Sequence, residues 1–177
     1  MNNIIKKIVV PSAAYRAAFF SMAYDYRDGG ELRYYREIIK ENFEFGDYLT
    51  RLRRHSLGVG LDKGLIRYAT YWLVDEKKDV IYGVSRLRHT LSEVSLKEGG
   101  HIGYDVPPSR RNDGNATELL RQTLVKAGSM GIKRVLMTCD SDNIASARVI
   151  EKNGGVLENR VISDYTRKFV CRYWINT

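Results

Sequence analysis

Residues Val106 to Ala127, VPPSRRNDGNATELLRQTLVKA, constrain the fold of this chain more than any other stretch. Pro107 and Pro108 cannot donate to a ladder, so a strand ending at Val106 must stop or splay its pairing there. The turn that follows, RRNDGNAT, is a run of consecutive peptide N–H groups leading into a helix start, where the first turn has unpaired donors and a partial positive charge. Gly114 lets the backbone approach a ligand closely, Ala116 keeps the next position small, and Arg110 and Arg111 supply charge-assisted donors. Beyond the turn, Leu119, Leu120, Thr123, Leu124 and Ala127 form one stripe, and Glu118, Arg121, Gln122 and Lys126 the other. That is an amphipathic helix closing at Gly128. A strand end, a donor-rich turn and a helix in this order can hold a pyrophosphate.

Competing phosphate motifs fail on inspection. There is no G-x-x-x-x-G-K-[ST], and no G-x-G-x-x-G opens a helix after a strand. Gly58, Gly60 and Gly64 precede the strand-like Leu65 to Val74 and read as a loop. Gly128, Ser129, Met130 and Gly131 spell the G-x-x-G that clamps a nucleic-acid backbone between two helices, but here a strand follows.

Periodicity orders the rest. Ile5 to Val10 reads as a strand, and Ala13 to Tyr24 as a helix begun by Ser12 and broken by Asp28, Gly29 and Gly30. Helical stretches over Glu31–Glu41 and Gly46–His55 follow. Tyr68 to Asp75 and Val80 to His89 alternate around EKKD as a hairpin. Gly99 to Val106 is the next strand, Arg134 to Cys139 another, Asn143 to Lys152 a helix, and Val156 to Ser163 with Lys168 to Ile175 a final hairpin around Asp164 to Arg167. Strands with helices between only some of them imply an α/β sheet that is not all parallel. At 177 residues and 44% hydrophobic content the expectation is one domain with a real core. MNNIIKKIVVP is too short for a signal peptide or membrane span, and Cys139 and Cys171 without metal-ligand spacing suggest reduced structural thiols in the cytoplasm. His89, His101 and Asp105 are too widely spaced, with no further acid cluster, to suggest a metal.

A formal charge of +8 favours anionic partners. RLRRH at residues 51–55 and RLRH at 86–89 raise nucleic acid as one of them. Leu49, Leu52 and Leu57 alternate with the first run as on the solvated face of a packed helix, and no nucleic-acid reading motif accompanies the charge.

The surviving motif, R-x-x-G-x-A between a strand and a helix, resembles the acetyl-CoA pyrophosphate loop of the GNAT N-acetyltransferase superfamily, [Q/R]-x-x-G-x-[G/A], matched by Arg111, Gly114 and Ala116. MGIKRVLMTCDSDNIASARVIEKNGG, residues 130–155, resembles the following strand, asparagine-bearing turn and helix of that fold. TYWLVDEKKDVIYGVSRLRH, GGHIGYDV and CRYWI resemble one bacterial branch of predicted acetyltransferases. The likeness covers Thr70 to Ile175 well and the first third loosely. It implies a mixed, mostly antiparallel central sheet with two splayed parallel strands, flanked by helices, and a single domain over residues 1–177. Acceptor-side helices would occupy about 12–55, the acetyl-CoA core about 70–155, and a C-terminal hairpin 156–175. It also implies acetyl-CoA as co-substrate, bound by Val106, Arg111, Asn112, Asp113, Gly114, Asn115, Ala116, Thr117 and Asn143, with no metal, and acetyl transfer to a primary amine by direct attack in a ternary complex. Asn143 could also simply cap its helix.

Three roles then need filling: a base, an oxyanion donor and an acid for the leaving thiolate. His101 stands five residues before Val106, where a family glutamate commonly sits. An imidazole with an ordinary pKa of about 6.5 can accept an ammonium proton. Glu98 is the alternative base, and the Val106 N–H the expected oxyanion donor. By strand parity His101, Gly103 and Asp105 share one face, and Ile102, Tyr104 and Val106 the other. The family tyrosine that protonates the thiolate aligns with Ile150, which cannot donate. Tyr104 or Tyr173 substitutes, or water does, or the thiolate leaves unassisted. Tyrosines 15, 24, 26, 34, 35 and 48 crowd the acceptor side, where such a stripe is usually core or half-buried surface. The acceptor is a small-molecule or peptide amine, with a macromolecular amine (aminoacyl-tRNA or a protein N-terminus) and a non-catalytic acetyl-CoA-binding module as the other readings. Nucleic acid ranks behind these and a membrane is not expected. A homodimer is open, since Tyr173 and Trp174 on the last strand suit a core or a partner.

Overall fold

A computed structural model describes residues 5–75, 77 and 79–177. Glu76 and Lys78 of EKKD and all of the N-terminal MNNI thus lie outside the described residues. Strand β1 (Lys6–Val9) leads through a 3-10 turn to α1 (Arg16–Asp28), the one-turn α2 (Tyr35–Ile38) and α3 (Phe45–Ser56). The hairpin β2 (Tyr68–Asp75) and β3 (Ile81–Arg88) follows, then a π-type turn over Ser95–Gly99 and β4 (Ile102–Asp105). Helix α4 (Asn115–Ser129), β5 (Arg134–Asp140), α5 (Ile144–Lys152), β6 (Val156–Ile162) and β7 (Phe169–Asn176) complete the order.

The strands form two sheets, β1-β2-β3-β4 and β5-β7-β6, and every pairing within them is antiparallel. Between β4 and β5 there is no ladder. The His101 N–H donates to the Leu136 carbonyl at 2.7 Å, and beyond that the strands part. Helix α4 returns the chain over roughly 22 Å between them, so both run the same way, as a βαβ crossover requires. The expected mixed, mostly antiparallel sheet with two splayed strands is the architecture found.

Helices cover both faces. Phe19, Met22 and Tyr26 of α1 and Phe45 and Tyr48 of α3 pack on Trp72, Val74 and Val84. On the other side Leu120, Leu124 and Ala127 of α4 and Ile150 of α5 pack with Tyr71, Leu87, Ile102, Val135 and Met137. The period-two alternation of β2 explains this, because Trp72 and Val74 face one layer while Tyr71 and Leu73 face the other. Gly83 makes the α4 layer close. A Cβ there would lie 2.9 Å from Leu119 Cδ2 and 3.1 Å from the Asp105 carbonyl oxygen.

Some boundaries differ from the sequence expectation. Gly99 to His101 do not extend β4, because the π-type turn ends at Gly100 with φ +64°, where a Cβ would meet the Leu136 carbonyl at 2.7 Å. Only Gly fits there. The stretch Glu31–Glu41 contains just four helical residues. Helix α1 starts after the 3-10 turn and runs on to Asp28, and Ser12 makes no side-chain cap. Among the tyrosines, 15, 26, 34 and 48 are buried, whereas Tyr24 is exposed.

Candidate active site

The donor turn is built as its sequence requires. Asn112 sits at φ +61° and Gly114 at φ +72°, directly before the first residue of α4. These two left-handed residues turn the chain so that successive N–H groups line one concavity. Among the described residues, the N–H groups of residues 112–117 have no protein partner; the first helical bond is Glu118 N–H to the Gly114 carbonyl, 3.0 Å. A Cβ at Gly114 would meet nothing within 4 Å, so the space over the turn is open.

Side chains brace the turn. Asn115 is buried, accepting from Lys6 Nζ at 2.7 Å and donating to the Arg110 carbonyl at 2.7 Å. Arg111 folds back: Nε donates to the Val106 carbonyl at 3.0 Å and Nη2 pairs with Glu31 at 2.6 Å. Asn115 and Arg111 therefore shape the cradle with their side chains, and what they offer a ligand is backbone. The Asp113 carboxylate points to solvent, 3.8 Å from Lys6 Nζ.

At the end of β4 the Val106 N–H has no partner among the described residues, which leaves it available to an oxyanion at the mouth of the gap. Across the gap Asn143 caps α5, accepting the Ser146 N–H at 3.0 Å with Oδ1, while its Nδ2 makes no described bond. Tyr104 reaches the same side, near Ser146 and Cys139.

His101 is held differently from a free base. Its Nδ1 accepts the Leu136 N–H at 2.9 Å, and burial first, then Arg88, push its pKa below the ordinary value. The ring is therefore neutral near pH 7, with its proton on Nε2 and its lone pair in use. Glu98 lies on the acceptor face, in the π-type turn packed on β5. Its carbonyl accepts Thr138 Oγ1 at 3.0 Å, and its Oε1 accepts the Asp164 N–H at 3.4 Å. Oε2 has no partner among the described residues.

Parity put Asp105 on the face of His101 and Gly103, which is the side that α1 covers, but nothing in the sequence announced its partners. Oδ1 accepts the hydroxyls of Tyr26 and Tyr34, each at 2.8 Å; Oδ2 accepts Arg86 at 2.9 Å and Arg33 at 3.4 Å. Burial pushes both phenols well up, so they remain donors. The carboxylate is saturated and acts as a knot tying α1 and the Tyr34 loop to the end of β4. Beside it a Cβ at Gly103 would meet nothing within 4 Å, leaving open space on the acceptor face between His101 and Asp105.

Two cavities lie elsewhere, about 500 Å³ between α2 and α3 and about 560 Å³ between α3 and the start of β2, and neither is lined by the donor turn. Among the described residues no cluster of three His, Cys, Asp or Glu could hold a metal, and no helix is long and apolar enough to cross a membrane.

Solved structures share this architecture. The acetyltransferase from Salmonella typhimurium that modifies the N-terminal serine of ribosomal protein L7/L12 is 15% identical, with a TM-score of 0.66 over 99% of this chain and 96% of that one. The putative acetyltransferase yncA of the same organism, solved with acetyl-CoA, gives 14% and 0.59 over 97% and 93%. A spermidine N-acetyltransferase chimera of Vibrio cholerae SpeG and hSSAT gives 15% and 0.60 over 97% and 95%. At such identities the likeness is one of fold. No curated protein matches the chain in sequence. The family model described as "Acetyltransferase (GNAT) domain" matches residues 29–156, from the end of α1 through the donor turn to the start of β6, and the chain belongs to the GNAT acetyltransferase family.

Proposed function

We propose that the protein moves the acetyl group of acetyl-CoA to a primary amine by direct attack in a ternary complex, with the whole chain working as one unit. The observation that carries this reading is the row of unpartnered N–H groups at 112–117, opening beside the place where β4 and β5 part. Those donors suit a pyrophosphate, the gap suits an extended pantetheine arm that pairs as a strand would, and Asn143 Nδ2, which makes no described bond, would donate to one of its amide carbonyls. The Val106 N–H would receive the carbonyl oxygen as negative charge develops on it. Glu98 is favoured over His101 as base, because one carboxylate oxygen is free whereas the imidazole must give up the Leu136 bond to accept a proton. Two free cysteines fit a cytoplasmic location.

Thermal unfolding with saturating acetyl-CoA, coenzyme A or ATP, on wild type and Gly114→Glu, tests the coenzyme site. A ligand at 100 times its Kd adds about 2.7 kcal/mol, or roughly 5–11 °C for a chain of this size. Acetyl-CoA should give that shift, ATP should not, and Gly114→Glu should abolish it. No shift with acetyl-CoA sinks the reading.

The acceptor follows from charge. At +8 the protein repels a polycation, which argues against a polyamine such as the spermidine of the Vibrio enzyme and favours an amine on an acidic macromolecule, such as a protein N-terminus or aminoacyl-tRNA. Transfer to acidic peptides that weakens steeply with salt would support this, and equal turnover of spermidine would not. Tight acetyl-CoA binding with no transfer across a broad amine panel would instead indicate a binding module.

A further inference from the structure

Breaking the thioester leaves a sulfur that needs a proton, and Ile150 offers none. Ile150 is fully buried, and a Cβ on Gly155 would lie 2.4 Å from its Cγ2, so the position is filled by core packing. Of the phenols on this side of the sheet, two reach groups of α5. Tyr173 is committed, its hydroxyl donating to Glu151 Oε1 at 3.3 Å. The hydroxyl of Tyr104 is buried and makes no hydrogen bond of good geometry among the described residues, with the Ser146 hydroxyl its one close polar neighbour. A buried hydroxyl without a partner is costly and uncommon, so this one calls for an explanation. Its neighbours mark the place: the Cys139 thiol from β5 and the Ser146 side chain from the start of α5, the turn that Asn143 caps. Val106, whose N–H is the free donor, follows Tyr104 by two residues at the end of β4, roughly 7 Å further along the chain and beside the same gap.

We propose that Tyr104 Oη is the acid that protonates the coenzyme sulfur. The inference rests on the acetyltransferase reading. The amine nitrogen bonds to the acetyl carbon, the carbon–sulfur bond breaks, and its electron pair stays on sulfur, which takes the Tyr104 proton. The proton lost by the amine nitrogen passes to Glu98 and, through solvent, restores the phenol, so the products are an amide and a thiol. Burial raises the Tyr104 pKa and keeps the phenol protonated near neutrality. Cys139, the titratable neighbour from β5, is pushed up to about 11, first by burial, and stays neutral as well.

Titrating wild type and Tyr104→Phe with coenzyme A and with desulfo-coenzyme A, which lacks only the sulfur, tests the contact without an acceptor. Wild type should bind coenzyme A about three- to tenfold more tightly than the desulfo analogue, the strength of one hydrogen bond. Tyr104→Phe should erase that difference while binding desulfo-coenzyme A as wild type does, which also shows that the variant is folded. An equal preference for sulfur in both proteins overturns the assignment. Failure of both ligands to bind wild type removes the coenzyme reading itself, and the proposal with it. In turnover, Tyr104→Phe should lower kcat about a hundredfold with little change in the KM for acetyl-CoA, and an acetyl thioester of a more acidic thiol should recover most of the loss.

Discussion

His101 and Leu136 exchange two hydrogen bonds across β4 and β5, one between backbones at 2.7 Å and one in which the imidazole Nδ1 replaces a carbonyl as acceptor at 2.9 Å. With no ladder beyond it, the pair is where the two strands touch before they separate, and it fixes where the gap begins.

Replacing the ring should therefore cost stability before it costs chemistry. His101→Phe leaves the buried Leu136 N–H without an acceptor, about 2 kcal/mol, or a midpoint drop of roughly 4–8 °C. Thermal unfolding beside steady-state kinetics separates the roles. An unchanged midpoint with a collapsed kcat would return the base to His101.

The same residue gives acid sensitivity a sign. The pKa of His101 is lowered on folding, so the unfolded chain binds its proton first. Its contribution is complete above the unfolded value of about 6.5 and is lost as pH falls from there through the folded value. His55 and His89 are lowered too, chiefly by burial, and act in the same direction. Urea midpoints should fall below pH 6.5 in wild type and fall less steeply in His101→Asn.

Asp105→Asn should loosen the acceptor side while sparing the coenzyme. Arg86 loses its charge partner, but at 29% side-chain exposure it can turn partly to water, so the cost is about 1–3 kcal/mol, below that of a fully buried pair. Calorimetry should show acetyl-CoA affinity within about twofold of wild type, and kinetics a raised acceptor KM.

Glu98→Gln keeps the shape and removes the proposed base. Its kcat should drop about a hundredfold with the melting temperature unchanged, and the loss should shrink at high pH, where the amine arrives unprotonated. Full activity in this variant would eliminate Glu98.

Cys139 should resist alkylation. With the thiol pushed up to about 11 by burial first and Cys171 second, only about one molecule in a thousand is thiolate at pH 8. Mass spectrometry after a brief iodoacetamide pulse should find it unmodified in the folded protein.

How much of this was legible in the sequence depends on distance along the chain. Strand β2 has the limits its alternation predicts, α5 starts after Asn143 as expected, and Leu119, Leu120, Thr123, Leu124 and Ala127 form the buried stripe of α4. Each is a matter of periodicity within a dozen residues. The donor turn was legible because the left-handed position falls on a glycine and two prolines stop the strand. What stayed hidden joins remote segments: Tyr26 and Tyr34 reach Asp105 across more than 70 positions, and Lys6 reaches Asn115 across 109. Strand parity located Asp105 on the face of His101 and Gly103 but could not say that four donors converge on it. His101 shows the same limit, since standing where a family glutamate commonly sits suggested a base and only the position of Leu136 revealed an acceptor already in use.

Strand β1 has one open edge, and α4 covers it. Gln122 donates to the Lys6 carbonyl at 2.9 Å and accepts the Ile8 N–H at 2.8 Å, while Lys6 reaches on to Asn115 at the helix start. The first strand is thus fastened to the same helix whose opening turn would carry the phosphates. Tightening of that turn should travel along the helix and slow deuterium uptake at Ile8, so the outermost strand of the sheet reports occupancy of the turn that its Lys6 braces.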